Sequence, residues 1–216
     1  MPKIVDHEKR RDEIALIACR VVADCGFEQT TMARIARAAG YTTGMVAHYF
    51  ETKQDIIIAA LRLMLRRIDE RLLRNSEGER PDLLALLMET LPVDEERYIE
   101  CAFWTAFWGQ ISADKRLKRI SAWVHREYQR LFERCLSRAW PEWPEWQEDA
   151  RESVLRSVMT FMNGLTASVV ASRGDWPAEK QIGQMRLQIA MLHEWASSAA
   201  VIPAKPRKQR SATGTA

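Results

Sequence analysis

Histidine is scarce in this chain of 216 residues: only His7, His48, His125 and His193 occur, and none stands in an H-E-x-x-H or E-x-x-H arrangement. Helical zinc sites and two-metal carboxylate bundles therefore lack their ligand pairs. Neither a G-x-S-x-G elbow nor a phosphate-cradling glycine loop is present, so the common nucleophile and nucleotide motifs are missing too. The residues offer no catalytic set, no metal set and no cofactor site, and an enzyme is not expected. Cysteine is equally sparse: Cys19, Cys25, Cys101 and Cys135 form no C-x-x-C pair, which predicts reduced, buried thiols rather than a redox or metal motif. No unbroken apolar run approaches the roughly 18 residues of a membrane span, and the N-terminus lacks the apolar stretch of a signal peptide. A soluble cytoplasmic protein is the expectation.

Excess charge is also small. The formal net charge is +3, but the tail from Pro203 onward holds four bases and no acid, so the remainder stands at −1. Residues 1–60 carry eight bases against eight acids. A nucleic-acid function must rest on where charges sit, not on their sum.

What fills the chain is helical periodicity, without strand alternation or internal repeat. Ile14, Ile17, Ala18, Val21, Val22 and Cys25 form one stripe that ends at Gly26. A short second helix begins after Thr30 or Thr31 and stops at Gly40; Thr42 caps a third; Thr52, with Asp55 as capping-box acid, opens a long fourth that runs to about Asn75. Five more helices read as 82–91, 94–112, 115–139, 147–172 and 178–200, with breaks that include Gly78, Pro92 and WPEWPEW at 140–146. The fold class is all-α with about nine helices: residues 1–52 a helix-turn-helix head, 53–202 a helical body, and 203–216 a disordered basic tail.

The stretch YTTGMVAHYFETK, 41–53, carries no Lys or Arg until Lys53. On a helix, Val46 and Phe50 share the inward side, while Gly44, Met45 and His48 cluster opposite. That is the narrow anchor and compact exposed arc of a recognition helix, or a tight helical corner in a core. As a DNA reader it would use Thr43, Met45 and His48 on base edges. Phosphates would meet Thr42, Thr43, Tyr49, Lys53 and free helix-start amides, flanked by Arg10, Arg11, Arg34 and Arg37, with Gly44 allowing close approach.

In the body, Phe103, Trp104, Phe107 and Trp108 crowd into six residues, followed by Trp123 and Tyr128. They pack a core or, with Met64, Met88 and Phe161, line a cavity between helices. Aromatic faces beside the Glu100 carboxylate would suit a quaternary ammonium. The Trp residues of WPEWPEW are read as a clamp on flanking helices. Small residues Gly164, Ala167, Ser168 and Ala171 share one face of the eighth helix, and Ile182, Met185, Ile189 and Leu192 follow helical spacing on the ninth.

TTMARIARAAGYTTGMVAHYFETKQDI closely resembles the DNA-binding signature of the TetR family of transcriptional regulators: Thr-Thr, Ile-Ala-x-x-Ala-Gly, Gly, then Phe-x-x-Lys. The resemblance implies an all-helical dimer in which a three-helix head joins a ligand-binding body through a fourth helix. Ala47 replaces the aromatic residue that this family commonly carries three positions after its glycine, leaving Tyr49 and Lys53 more of the phosphate contact. AFWTAFWGQISADKRLKRI and FMNGLTASVVASRGDWPAEKQI resemble the BetI-like subgroup, whose named member represses choline-to-betaine genes. Carried over, this implies that helices eight and nine pair with their symmetry mates. It also implies a homodimeric repressor that binds a pseudo-palindromic operator on double-stranded DNA and is released by a small-molecule effector, choline-like in that subgroup. The alternative is a helical protein-interaction adaptor without DNA binding.

Overall fold

The computed structural model describes residues 3–75, 81–111 and 114–199, with side chains described from His7 to Ser198. The break at Gly78 and the tail from residue 203 lie outside the described residues. Among the described residues there are nine α-helices and no strand: α1 Lys3–Gln29, α2 Met32–Ala38, α3 Thr43–Tyr49, α4 Lys53–Asn75, α5 Leu83–Met88, α6 Glu95–Trp108, α7 Lys115–Ala139, α8 Glu148–Ala171 and α9 Ala178–Ala199. The first helix starts well before the apolar stripe, because Glu8, Lys9 and Arg10 are adequate helix formers even without burial. Its regular path ends at Gly26, whose φ of 78° only glycine takes readily, and a last turn reaches Gln29. α5 and α6 are shorter than their periodicity suggests, since Glu89 and Gly109 already act as C-caps. Two single 3₁₀ turns, Trp143–Glu145 and Arg173–Asp175, left no periodic trace in the sequence.

Two apolar cores organise the helices. The smaller joins Ile14, Ala18, Val21, Ile35, Ala36, Val46, Phe50 and Ile56, from α1 to the first turn of α4. The larger contains most of α4 to α9, and the other face of α1 enters it through Ala15, Cys19 and Val22. α1 packs on α6 as well as on α4, so the head is fastened to the body by two helices rather than by α4 alone. Helix α8 is, by length and composition, apolar enough to cross a membrane, which the lack of an unbroken apolar run had argued against. Here it is a wall of the body, with Val154, Val158, Met162, Leu165 and Val169 in the core.

Candidate nucleic-acid interface and body cavity

Caps fix the three short elements of the head. The Thr31 hydroxyl accepts from Arg34 N at 3.1 Å and that of Thr42 from Met45 N at 3.1 Å, so α2 and α3 each start at a defined residue. Thr52 and Asp55 form a reciprocal box: Thr52 N donates to Asp55 Oδ2 at 3.0 Å, and Asp55 N to Thr52 Oγ1 at 3.2 Å. These bonds to Thr52 first, and an ion pair with Arg116 of α7 at 2.6 Å second, hold the Asp55 carboxyl below its usual range against the opposing effect of burial.

Val46 and Phe50 are buried, and each full burial stabilises by roughly 1.5–3 kcal/mol. Thr42, Thr43, Gly44, Met45, Ala47 and His48 are exposed. A Cβ added at Gly44 would find nothing of this chain nearer than Thr42 Oγ1 at 4.0 Å, so no internal contact demands glycine there. His48, Tyr49 and His7 form a ring cluster, with His7–Tyr49 at 4.8 Å and His48–Tyr49 at 5.3 Å.

The flanking cations divide into two kinds. Arg10 is bonded to the Tyr41 hydroxyl and to Glu13, and Arg11 to the Tyr49 carbonyl while lying 4.1 Å from the Phe50 ring centre. Both brace the corner of α3 against α1. Lys53 donates to the Phe27 carbonyl at 3.1 Å and sits over its ring, which leaves two of the ammonium's three donors. Arg34 and Arg37 are exposed, and Arg34 has only a long contact of 3.4 Å to Gln29.

In the body, α4, α6, α7 and α8 enclose a cavity of about 150 Å³. Five of the expected ligand residues line it: Met64, Glu100, Trp104, Trp108 and Tyr128. Five do not. Phe103 and Phe107 are wholly buried on the flank of the stripe that residues 97, 100, 101, 104 and 108 turn to the cavity, where Phe107 stacks on Trp104 from beside it. Met88, Trp123 and Phe161 pack around the core instead. Sequence reasoning missed Ile68, Thr90, Arg97, Cys101, Ser121, His125, Phe132, Met159, Met162, Asn163 and Thr166. The Met159, Met162, Asn163, Thr166 spacing on α8, polar groups along an otherwise apolar stripe, was the available signal.

Glu100 is not a free carboxylate. Arg71 grips both of its oxygens, at 3.2 and 2.6 Å, and Arg67 Nε stands 3.5 Å away. Arg71 also meets Glu89, which accepts from Arg97 at 2.6 Å and from Asn75 at 2.7 Å. Burial opposes the charge on Arg71, yet these carboxylates hold its pKa above the usual value. Burial pushes the Tyr128 hydroxyl upward, Cys101 up to about 12 and Cys135 up to about 11, so all three stay protonated near neutrality. All four cysteines are unpaired thiols.

Trp140, Trp143 and Trp146 are buried together, with ring centres 5.3–6.4 Å apart, and His193 of α9 closes the cluster at 5.2 Å from Trp140. The clamp therefore holds α9 as well as α7 and α8. On α9, Met185 and Leu192 are buried in the chain's own core rather than on a pairing face, and Ile182 and Ile189 are half-buried. The large apolar side chains exposed there are Leu187, Met191 and Trp195, spaced by four residues. On α8, Gly164 and Ala171 are exposed, and Ala167 and Ser168 are partly so.

Comparison with known proteins accords with this geometry. Residues 17–60 match the tetR family of bacterial regulatory proteins, and 79–194 match the BetI-type transcriptional repressor C-terminal region. The regulator PksA of Bacillus subtilis is 34% identical over 110 residues, covering 50% of this chain and 54% of PksA. BetI of Burkholderia cenocepacia is 30% identical over 124 residues, 56% of this chain and 64% of BetI. The chain thus spans less than two thirds of either relative. Among solved structures, a transcriptional regulator from Rhodococcus sp. Rha1 superposes with a TM-score of 0.74 at 23% identity, covering 89% of this chain and 99% of that one. A putative regulator from Saccharomonospora viridis, solved in complex with choline, gives 0.68 at 16% identity, covering 88% and 96%. With one family description spanning more than half of its length, the chain belongs to the TetR family of transcriptional regulators, with a BetI-type C-terminal region.

Proposed function

We propose that this chain is a cytoplasmic, ligand-responsive repressor that binds a pseudo-palindromic operator as a homodimer. The observation that carries this reading is the double use of α4: its first turn, at Ile56, closes the core that holds the recognition helix α3, while Met64 and Ile68 further along line the body cavity. A ligand that prefers a different setting of α4 would thereby move α3. The DNA-reading residues are Thr43, Met45 and His48 on the exposed arc; Thr42, Tyr49, Lys53 and Arg34 contact phosphates, and Arg10 and Arg11 hold the arc in place. Pairing uses the small-residue face of α8, Gly164, Ala167, Ser168 and Ala171, with Leu187, Met191 and Trp195 of α9. Such a dimer would present two α3 helices to major-groove faces about 34–36 Å apart or a multiple of that.

The effector occupies the cavity beside Trp104 and Glu100. A choline-like effector is what the Saccharomonospora viridis neighbour suggests, but in this chain the carboxylate it would need is already held by two arginines. The head and body divide near residue 52. A binding selection on genomic DNA tests the reading: recovered sites should share a two-fold symmetric motif, and Met45→Ala should relax preference at one position per half-site. Recovery of no motif, or a monomer at all concentrations, would overturn it.

A further inference from the structure

The charge around the cavity points to the kind of molecule that fits it, granted that the cavity is the effector site. Three guanidinium groups, Arg67, Arg71 and Arg97, stand against two buried carboxylates, Glu89 and Glu100. Two further acids, Asp94 and Glu96, bring the count to four against three, but more than half of each side chain is exposed, where water screens it. Arg71 Nε and Arg97 Nε are buried without an acceptor in hydrogen-bonding geometry, although Arg71 Nε stands 3.3 Å from Glu89 Oε2. Around the same walls, the side chains of Tyr128, Ser121 and Asn163 make no hydrogen bond among the described residues. A cation would find no unpaired carboxylate here.

Nor do the aromatic rings form a cage. Trp104 is stacked on Phe107 at 5.6 Å and on Tyr128 at 5.5 Å, and meets Trp108 at 5.8 Å in a T-shaped contact. The electron-rich faces by which Trp104 and Tyr128 would attract a quaternary ammonium are engaged with neighbouring rings, whereas ring edges, with their positive rim, suit apolar groups and acceptors. Met64, Ile68, Phe132, Met159 and Met162 supply an apolar floor.

We propose that this cavity binds a small organic acid, an apolar body carrying one carboxylate, and rejects a quaternary ammonium ion of the same size. The carboxylate meets the donors that line the cavity, Tyr128, Ser121 and Arg97, with Arg67 and Arg71 standing behind Glu100, and the apolar body lies among the methionines and Phe132. This inference rests on the effector reading above but is read out separately from it.

Three molecules of nearly equal shape make the test: choline, its uncharged carbon isostere tert-butylethanol, and the anion of tert-butylacetic acid. Each is titrated into the full-length protein and followed by tryptophan fluorescence, because Trp104 and Trp108 line the cavity. The anion should bind tightest and choline weakest, with roughly tenfold or more between the alcohol and choline. Tyr128→Phe keeps the ring stack and removes only the hydroxyl, so it should weaken the anion roughly fivefold to tenfold and leave choline unchanged. Choline binding as tightly as the alcohol, an anion unaffected by Tyr128→Phe, or no binding by any of the three would each overturn the proposal. If the anion binds as expected but leaves operator affinity unchanged, the charge preference stands and the ligand-responsive reading fails.

Discussion

Head and body use their charged residues in opposite ways. In the head, eight apolar side chains close a core without any ion, and Arg10, Arg11 and Lys53 sit at its margin, each bonded to a carbonyl, hydroxyl or ring next door. In the body, Arg71, Arg97, Glu89 and Glu100 are drawn in beside the cavity with side-chain exposures of 12, 21, 10 and 6%. Removing a charge from the head leaves a water-facing neighbour; removing one from the body strands its partner in a low-dielectric wall. The head's charges therefore brace an apolar core from its margin, and the body's charges stand inside the wall of a cavity.

Breaking the body network should give the largest effect. Arg71→Met leaves Glu100 and Glu89 facing each other with reduced compensation, and should cost about 3–5 kcal/mol in urea unfolding at fixed protein concentration. All eight tryptophans lie beyond residue 100, so fluorescence follows the body alone. A loss below about 1 kcal/mol would mean that the cluster is solvated and that the contrast with the head is false.

The glycine of α3 sharpens the other side of the comparison, because its two effects have opposite sign. Gly44→Ala adds a methyl group to open surface within a helix and should stabilise the head by roughly 0.5–1 kcal/mol. If Gly44 lies against DNA, the same methyl group should weaken operator binding by about tenfold, read by gel shift. A more stable head with unchanged affinity would move the DNA contact away from the start of α3.

How much of this was legible in the sequence follows the same division. Helix limits and caps in the head depend on local chemistry: Thr42 and Thr52 with Asp55 stand at their structural positions because a cap is decided within four residues. The Val46–Phe50 anchor follows from spacing alone. The cavity depends on which of two aromatic stripes on α6 faces α7 and α8, and periodicity names the stripes without naming their partners, so Phe103 and Phe107 lie off the cavity they were expected to line, and Arg97 and Asn163 line it unannounced. On α9, Met185 and Leu192 read as a pairing face because an apolar stripe looks the same whether its partner is the same chain or another. The pairing of Glu100 with Arg71, 29 positions away, left no local signal at all.

Lys53 tests whether the head's marginal charges act on DNA or only on the fold. With one donor on the Phe27 carbonyl and two free, Lys53→Ala should weaken operator and random DNA by the same factor and flatten the salt dependence by about one unit per lost contact. If only thermal stability changes, the ammonium is a clasp between α1 and α4 and nothing more.

The smallest effect lies at the seam between the two regions, where Asp55 caps α4 and pairs with Arg116 of α7. Its carboxyl is held below the ordinary value of 3.8, first by the Thr52 hydroxyl and then by Arg116. A depressed folded-state pKa means that the stabilisation is fully present above the unfolded value and disappears as pH falls through the folded one. Asp55→Asn should therefore lower stability by about 1 kcal/mol or less at neutral pH, and the gap from the parent protein should close as acid protonates the parent's carboxyl. A gap that stays constant down to about pH 3 would show that the shape of the side chain, rather than its charge, holds the start of α4 to both Thr52 and α7.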